Sequence, residues 1–292
     1  MKRLIVLMGG VGISLSAIFV RWADAPSTVL AMYRMLFSAL LVAPALLMGH
    51  RKELAALSRK ELGLCLASGC ALGLHFSAYF ESLRWTSVAA AVALVDTEVL
   101  FVALATVTLF RGKLSRRAWI AIGLAFVGSV AVAMADTAAG GADALRGDLL
   151  ALAGSVCVAV YTMIGSVCRR TVSTTVYTFV VYLTAAVTVL AVNLAAGIPV
   201  AGYGAADYGA ALGMAVFCTL LGHSLFSWGL KYLPAAFISV VKLMEPVFAA
   251  LWALLLFREV PGIAVVLGGG LIVAGLVLYS LTAEEKRPAE EV

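Results

Sequence analysis

At 292 residues the chain has the length of one or two soluble domains, but 63% hydrophobic and only 13% charged residues exclude a soluble protein and place it in a membrane. The net charge of +5 does not indicate nucleic-acid binding, because the basic residues sit between apolar runs and form no patch interleaved with exposed aromatics. Cys65, Cys70, Cys157, Cys168 and Cys218 lie within or at the ends of those runs at irregular spacing, the pattern of neither a disulfide framework nor a zinc site.

The chain opens with Met1-Lys2-Arg3 and an apolar run to Val20, which reads like a signal peptide with a small-x-small site at Ala23-Asp24-Ala25. Gly9 and Val11, however, answer Gly154 and Val156 later in the chain, so this segment belongs to a repeat and is read as a retained first helix. Runs of the roughly twenty apolar residues that a spanning helix needs fall at 4–20, 28–48, 62–83, 86–110, 116–135, 148–168, 175–197, 207–230, 234–257 and 261–281. Between the fifth and the sixth, Asp136 to Asp148 is rich in Gly, Ala and Asp, the composition of a flexible loop. The expected organisation is therefore a five-helix module at 1–136, an extracytoplasmic linker at 137–147, a second five-helix module at 148–281 and a short charged tail at 282–292, disordered and cytoplasmic.

The two modules match without gaps at an offset of 147 residues: Leu83-Arg84-Trp85 falls on Leu230-Lys231-Tyr232, Glu98 on Glu245, Phe101 on Phe248, Phe110-Arg111 on Phe257-Arg258, Gly123 on Gly270 and Gly128 on Gly275. Five spans per module is odd, so the second copy enters the membrane upside down. An all-α protein of ten spans in two inverted repeats is a carrier pattern. Lysines and arginines set its orientation. With the N-terminus in the cytoplasm, only Arg21, Arg84, Arg146 and Arg258 lie outside, Arg34 and Lys242 lie inside helices, and all the others lie on the inner side; both termini are then cytoplasmic and the protein belongs in the cytoplasmic membrane.

Polar groups within apolar runs are expensive and are read as functional. Lys242 and Glu245, three residues apart on one helix face, can pair with each other, either as an internal ion pair or as a substrate site. Pro246 has no N–H, so the carbonyl of Lys242 loses its helical partner, and Pro246 is the expected hinge. Asp96 and Glu98 sit at the middle of the fourth span, two residues apart and hence on different faces; one of them can reach Lys242, and the repeat makes Glu98 the equivalent of Glu245. Asp96, Glu98 and Glu245 are candidate proton carriers. His75, Tyr79 and Ser82 share a face of the third span, as His223 and Ser227 do on the eighth with Trp228 beside them, and polar glue between helices is the competing role for each histidine. Trp22, Trp85, Trp119 and Tyr279, near helix ends, are read as interfacial anchors. The stripe Cys65, Gly69, Gly73, Ser77 and the glycines Gly268-Gly269-Gly270 and Gly275 are read as close helix contacts.

Phe19 to Ala23 with Pro26, Ala31, Arg34 and Pro44, then His75-Phe76 through Leu83, Thr86-Ser87-Val88 and Leu94-Val95 to Leu104, resemble the first module of the EamA family in the drug/metabolite transporter superfamily. Met244-Glu245-Pro246-Val247, Phe257-Arg258-Glu259 and Gly275 resemble the end of its second module. The resemblance implies a central cavity lined mainly by helices 1, 3, 4, 6, 8 and 9 and export of amino acids or related metabolites. His75, Tyr79, Asp96, Glu98, Tyr161, His223, Ser227, Trp228, Lys242 and Glu245 then become the candidate cavity residues, with Ser14 and Ser16 beside them, and Arg34 a structural clamp. Val99 stands where that family's first module usually has proline, and Gly112 where a glutamate usually follows, so a kink is expected only at Pro246.

No Walker loop, His-Glu-x-x-His or nucleophile triad spacing is present, which points away from an enzyme and from any metal or cofactor. The expected partners are a small-molecule substrate, membrane lipid and protons. The nearest alternative cargo is a drug-like cationic or aromatic compound; a channel or a lipid-modifying membrane enzyme ranks below either carrier.

Overall fold

The structure, a computed structural model, describes residues 1–86, 88–134, 144–258 and 260–282. Residues 137–143 of the expected linker, the tail from 283 onward, Ser87 and Glu259 lie outside the described residues. The elements are α1 (Lys2–Arg21), α2 (Ser27–Ala55), α3 (Arg59–Ser82), α4 in the halves α4a (Val88–Asp96) and α4b (Glu98–Thr108), α5 (Arg116–Met134), α6 (Ala144–Cys168), α7 (Thr174–Ala195), α8 (Ala205–Gly229), α9 in the halves α9a (Ala235–Lys242) and α9b (Glu245–Phe257), and α10 (Ile263–Leu281). Among the described residues nine helices are long and apolar enough to cross a membrane, and α5, of 19 residues, stands in the fifth place.

One boundary moves. Residues 144–147, expected in the linker, are the first turn of α6. Ala144, Leu145 and Arg146 are good helix formers, and the Arg146 guanidinium lies 4.0 Å above the Trp85 ring, which holds that turn against the end of α3.

The helices pack in a pattern that maps onto itself when the modules are exchanged. α5 packs on α10 and α2 on α7; α3 packs on α6 as α1 does on α8; α3 packs on α7 as α2 does on α8; and α4 packs on α6 as α9 does on α1, whereas α4b meets α9a without a matching contact of α9b with α4a among the described residues. Close approach explains the small residues. A Cβ on Gly128 would lie 2.5 Å from the Gly268 carbonyl oxygen, and one on Gly275 would lie 2.7 Å from that of Ala121, the same contact seen from the other repeat.

Both ends of the bundle are tied across the modules. At the end where the chain starts, Thr171 Oγ1 donates to Glu61 Oε1 (2.8 Å) and the Ser173 amide to Glu53 Oε1 (2.6 Å). At the far end Asp207 Oδ1 accepts the amides of Asp24 (2.8 Å) and Ala25 (2.9 Å), and Thr86 Oγ1 donates to Asp148 Oδ1 (2.7 Å). Trp22 stands exposed at that far end, as an interfacial ring would. Tyr279 does not: it is buried against Phe237, ring centroids 5.9 Å apart.

Two helices are interrupted at equivalent places. Pro246 cannot donate to Lys242, so α9a stops there; Met244 N turns back to Val241 O (3.0 Å), and α9b starts at Glu245. The expectation that proline alone would interrupt the bundle is corrected by α4, which breaks at Thr97, 147 residues before Met244, with no proline present. Thr97 Oγ1 donates to Leu94 O (2.5 Å) while its amide turns to the same carbonyl (3.2 Å), a local bond that competes with the helical ladder. Both broken helices are also followed by an arginine in the left-handed region, Arg111 (φ 49°) three residues past α4b and Arg258 (φ 58°) at the end of α9b, again 147 residues apart.

Candidate functional site

The two breaks bring the intramembrane charges together. Glu98, the first residue of α4b, is 6% exposed and accepts Lys242 Nζ from the end of α9a on both oxygens, at 2.8 and 3.1 Å. Thr162 Oγ1 on α6 donates to Glu98 Oε1 (2.8 Å) and accepts from Lys242 Nζ (2.9 Å), and Ser239 Oγ on α9a adds a donor at 3.0 Å. A buried ion pair is tolerated when its remaining hydrogen-bonding capacity is met, and here two hydroxyls meet it. The expected pairing of Lys242 with Glu245 does not form. Three-residue spacing places side chains together only on a continuous helix, and the helix ends between them.

Glu245 is left with no hydrogen-bond or ion-pair partner among the described residues. It is exposed even though Arg34 on α2, Tyr79 on α3 and Asp96 on α4a are all within electrostatic reach of it. An exposed carboxyl surrounded by other helices stands on the wall of an interior opening. Asp96 takes a separate role, accepting a hydrogen bond from Ser129 Oγ on α5.

Aromatic groups surround this opening. His75 Nδ1 donates to the Gly154 carbonyl (3.0 Å), which fixes the ring of a buried side chain, and Tyr79 stacks on that ring at 6.1 Å and 5°. Tyr161 is buried beneath Lys242, whose ammonium lies 5.9 Å from its ring centroid, and its hydroxyl bonds Ser227 Oγ (3.1 Å). His223, 8% exposed, packs between Phe76 (5.9 Å) and Tyr161 (6.1 Å), and its Nδ1 has no partner among the described residues. Phe76 and His223 are repeat equivalents, so their contact marks the axis that relates the modules. Trp228, expected in the cavity, instead packs against Tyr232, ring centroids 4.8 Å apart and planes tilted by 55°, near Lys2 at the end where the chain starts. One residue past Ser227 points about 100° further round a helix, enough to leave the opening.

Arg34 is 2% exposed, donates from Nε to Thr219 Oγ1 (2.8 Å) and from a terminal nitrogen to Ser16 Oγ (3.4 Å), and covers the Phe76 ring at 4.9 Å. It therefore ties α2 to α8, α1 and α3. Ser14 accepts Trp252 Nε1 (2.9 Å), tying α1 to α9b. Thr162 and Ser239 were not among the residues expected from sequence. Ser239 carried a signal, three residues before Lys242 on the same helix face; Thr162 carried none, since only folding brings α6 to α4b.

The opening is one-sided. From Ala235 to Met244 every residue but Lys242 is buried, and on α4b Glu98, Val99, Val102 and Ala103 are buried with them. Beyond the breaks, α9b is half-buried to exposed, and among the described residues α4a and α9b do not pack along one another. The bundle is thus closed at the end where the chain starts and parted at the far end. The groups present hold no cluster of His, Cys, Asp and Glu suited to a metal among the described residues.

Comparison with known proteins agrees with this architecture. Residues 2–134 and 145–281 each match the profile of the EamA-like transporter family. Comparison with curated proteins gives no match. A solved structure described only as "Crystal structure of protein" superposes with a TM-score of 0.80 over 97% of this chain and 98% of its own, at 19% identity, a likeness of fold. With both modules matched over nearly their whole length, the chain belongs to the EamA-like transporter family and is a multi-pass membrane transporter, not an enzyme.

Proposed function

We propose that this transporter exports amino acids or related small metabolites across the cytoplasmic membrane by alternating access between two inverted repeats. The observation that carries the reading is Glu245, an unpaired carboxyl on the wall of an opening that reaches the repeat axis. A substrate ammonium would be drawn to it, with the Tyr79 and Tyr161 rings offering faces to the rest of the molecule. The excess of lysine and arginine at the end where the chain starts puts that end, with both termini, in the cytoplasm. The parted end then faces outward. Glu245, on the wall of the opening, is the group through which a proton could be exchanged for substrate, with Asp96, held by Ser129, within electrostatic reach of it.

A second reading, transport of drug-like cations or aromatic compounds, is favoured by the state of the two intramembrane cations. Lys242 is held by Glu98 and Arg34 by Thr219 and Ser16, so among the described residues neither intramembrane cation is free of another partner to meet a substrate carboxylate. Purified protein in liposomes separates the two. Radiolabelled amino acids should enter saturably, and faster under an imposed pH gradient if Asp96 or Glu245 carries protons. Glu245→Gln should lower that uptake at least tenfold at normal abundance. Full activity of this variant would remove Glu245 from the mechanism. Uptake of organic cations but of no amino acid would establish the second reading.

A further inference from the structure

The repeat does not duplicate the four-residue network at the breaks. Exchange of the modules in an inverted-repeat carrier turns the closed end into the open one, so each group at the closed gate has a counterpart that would line the opposite gate when it shuts. At an offset of 147 residues the counterpart of Glu98 is Glu245, but that of Lys242 is Val95, that of Ser239 is Val92 and that of Thr162 is Leu15. When α4a and α9b close on one another, Glu245 meets three apolar residues in place of a cation and two hydroxyls.

We infer that Glu98, Lys242, Thr162 and Ser239 form a one-sided lock on the inner gate, absent from the outer gate, that holds the empty transporter open to the outside. Lys242 is thereby a positioning residue rather than a substrate ligand. It acts by joining α9a to α4b, and through Thr162 to α6, across the module boundary. The apolar surroundings strengthen this hold: Val99, Val102, Val240 and Val241 are buried around the network, where an ion pair is weakly screened. Each transport cycle must separate Lys242 from Glu98 before the inner gate opens, and among the described residues no equivalent ion pair delays the outer gate. This inference rests on the alternating-access reading above.

Double electron–electron resonance on a cysteine-free background tests it. One spin-label pair at Leu109 and Lys231, exposed residues at the inner ends of α4 and α9, reports the inner gate; a pair at Arg84 and Val260, exposed at the outer ends, reports the outer gate. The parent protein should show one short inner distance and one long outer distance. Glu98→Gln/Lys242→Met removes both charges together and so leaves no orphaned buried ion. It should raise the population with a long inner and short outer distance at least tenfold, and the charge-reversed pair Glu98→Lys/Lys242→Glu should restore much of the parent distribution. Val240→Asp, which places a charge in the apolar part of the same gate, serves as the reference. If Val240→Asp exchanges the two distances and the double variant leaves them as in the parent, the lock is wrong and alternating access stands. If neither variant moves either distance, alternating access itself fails.

Discussion

Which carboxylate holds Lys242 decides how the other intramembrane charges can act. With Glu98 as the partner, Glu245 remains on the wall of the opening with no competing cation bonded to it. Arg34 answers to the same logic in a structural role: its planar fork reaches Thr219 on α8 and Ser16 on α1 from α2, and an ammonium cannot span two directions in that way. Arg34→Met should therefore lower stability by about 1–3 kcal/mol, a range set by hydrogen bonds to a charged donor, and Arg34→Lys should recover little of it. Thermal unfolding of the detergent-solubilised variants measures both. Equal melting temperatures for Arg34→Lys and the parent would show that charge alone, not the fork, matters at this position.

At the scale of the element, the informative feature is the pair of breaks in α4 and α9. They arise by different chemistry, a missing N–H at Pro246 and a threonine hydroxyl turned back on Leu94 at Thr97, yet they fall at the same place in the repeat. The peripheral α5–α10 pair is built in the opposite way, from unbroken helices in close backbone contact. Gly275 faces the Ala121 carbonyl, where a Cβ would lie at 2.7 Å, and a larger side chain can enter only by forcing the helices apart. Gly275→Leu should cost about 1–3 kcal/mol by overpacking, whereas the same change at Gly270, which has nothing within 4 Å of its Cβ position, should be near neutral. The difference in melting temperature between these two variants, five residues apart on one helix, is the measurement. A similar loss at both would mean that the contact with Ala121 does not set the cost, because helix propensity by itself favours leucine over glycine.

For the molecule as a whole, the orientation proposed from the lysine and arginine bias makes a direct claim about topology. In a cysteine-free background, Leu145→Cys, exposed at the far end, should react with a membrane-impermeant thiol reagent on intact cells, and Lys52→Cys, exposed at the end where the chain starts, should react only after the membrane is opened. The reverse pattern would turn the transporter over and make the closed gate the outer one.

Much of this was legible in the sequence. Apolar runs of spanning length, the copy at 147 residues and the concentration of charge at the centre of two runs follow from composition and order alone, because a bilayer demands long apolar helices and makes every intramembrane charge conspicuous. Only the tertiary structure decided the rest. It broke α4 without a proline, because a threonine's choice between its own carbonyl and the helical ladder depends on its neighbours, here Ser155 at 2.8 Å. It moved Lys242 from Glu245 to Glu98, because spacing along a chain predicts contact only while the helix continues, and at Pro246 it does not. It also brought in Thr162, which no pattern marked, because the hydroxyl that completes the Glu98 network comes from a helix 64 residues away.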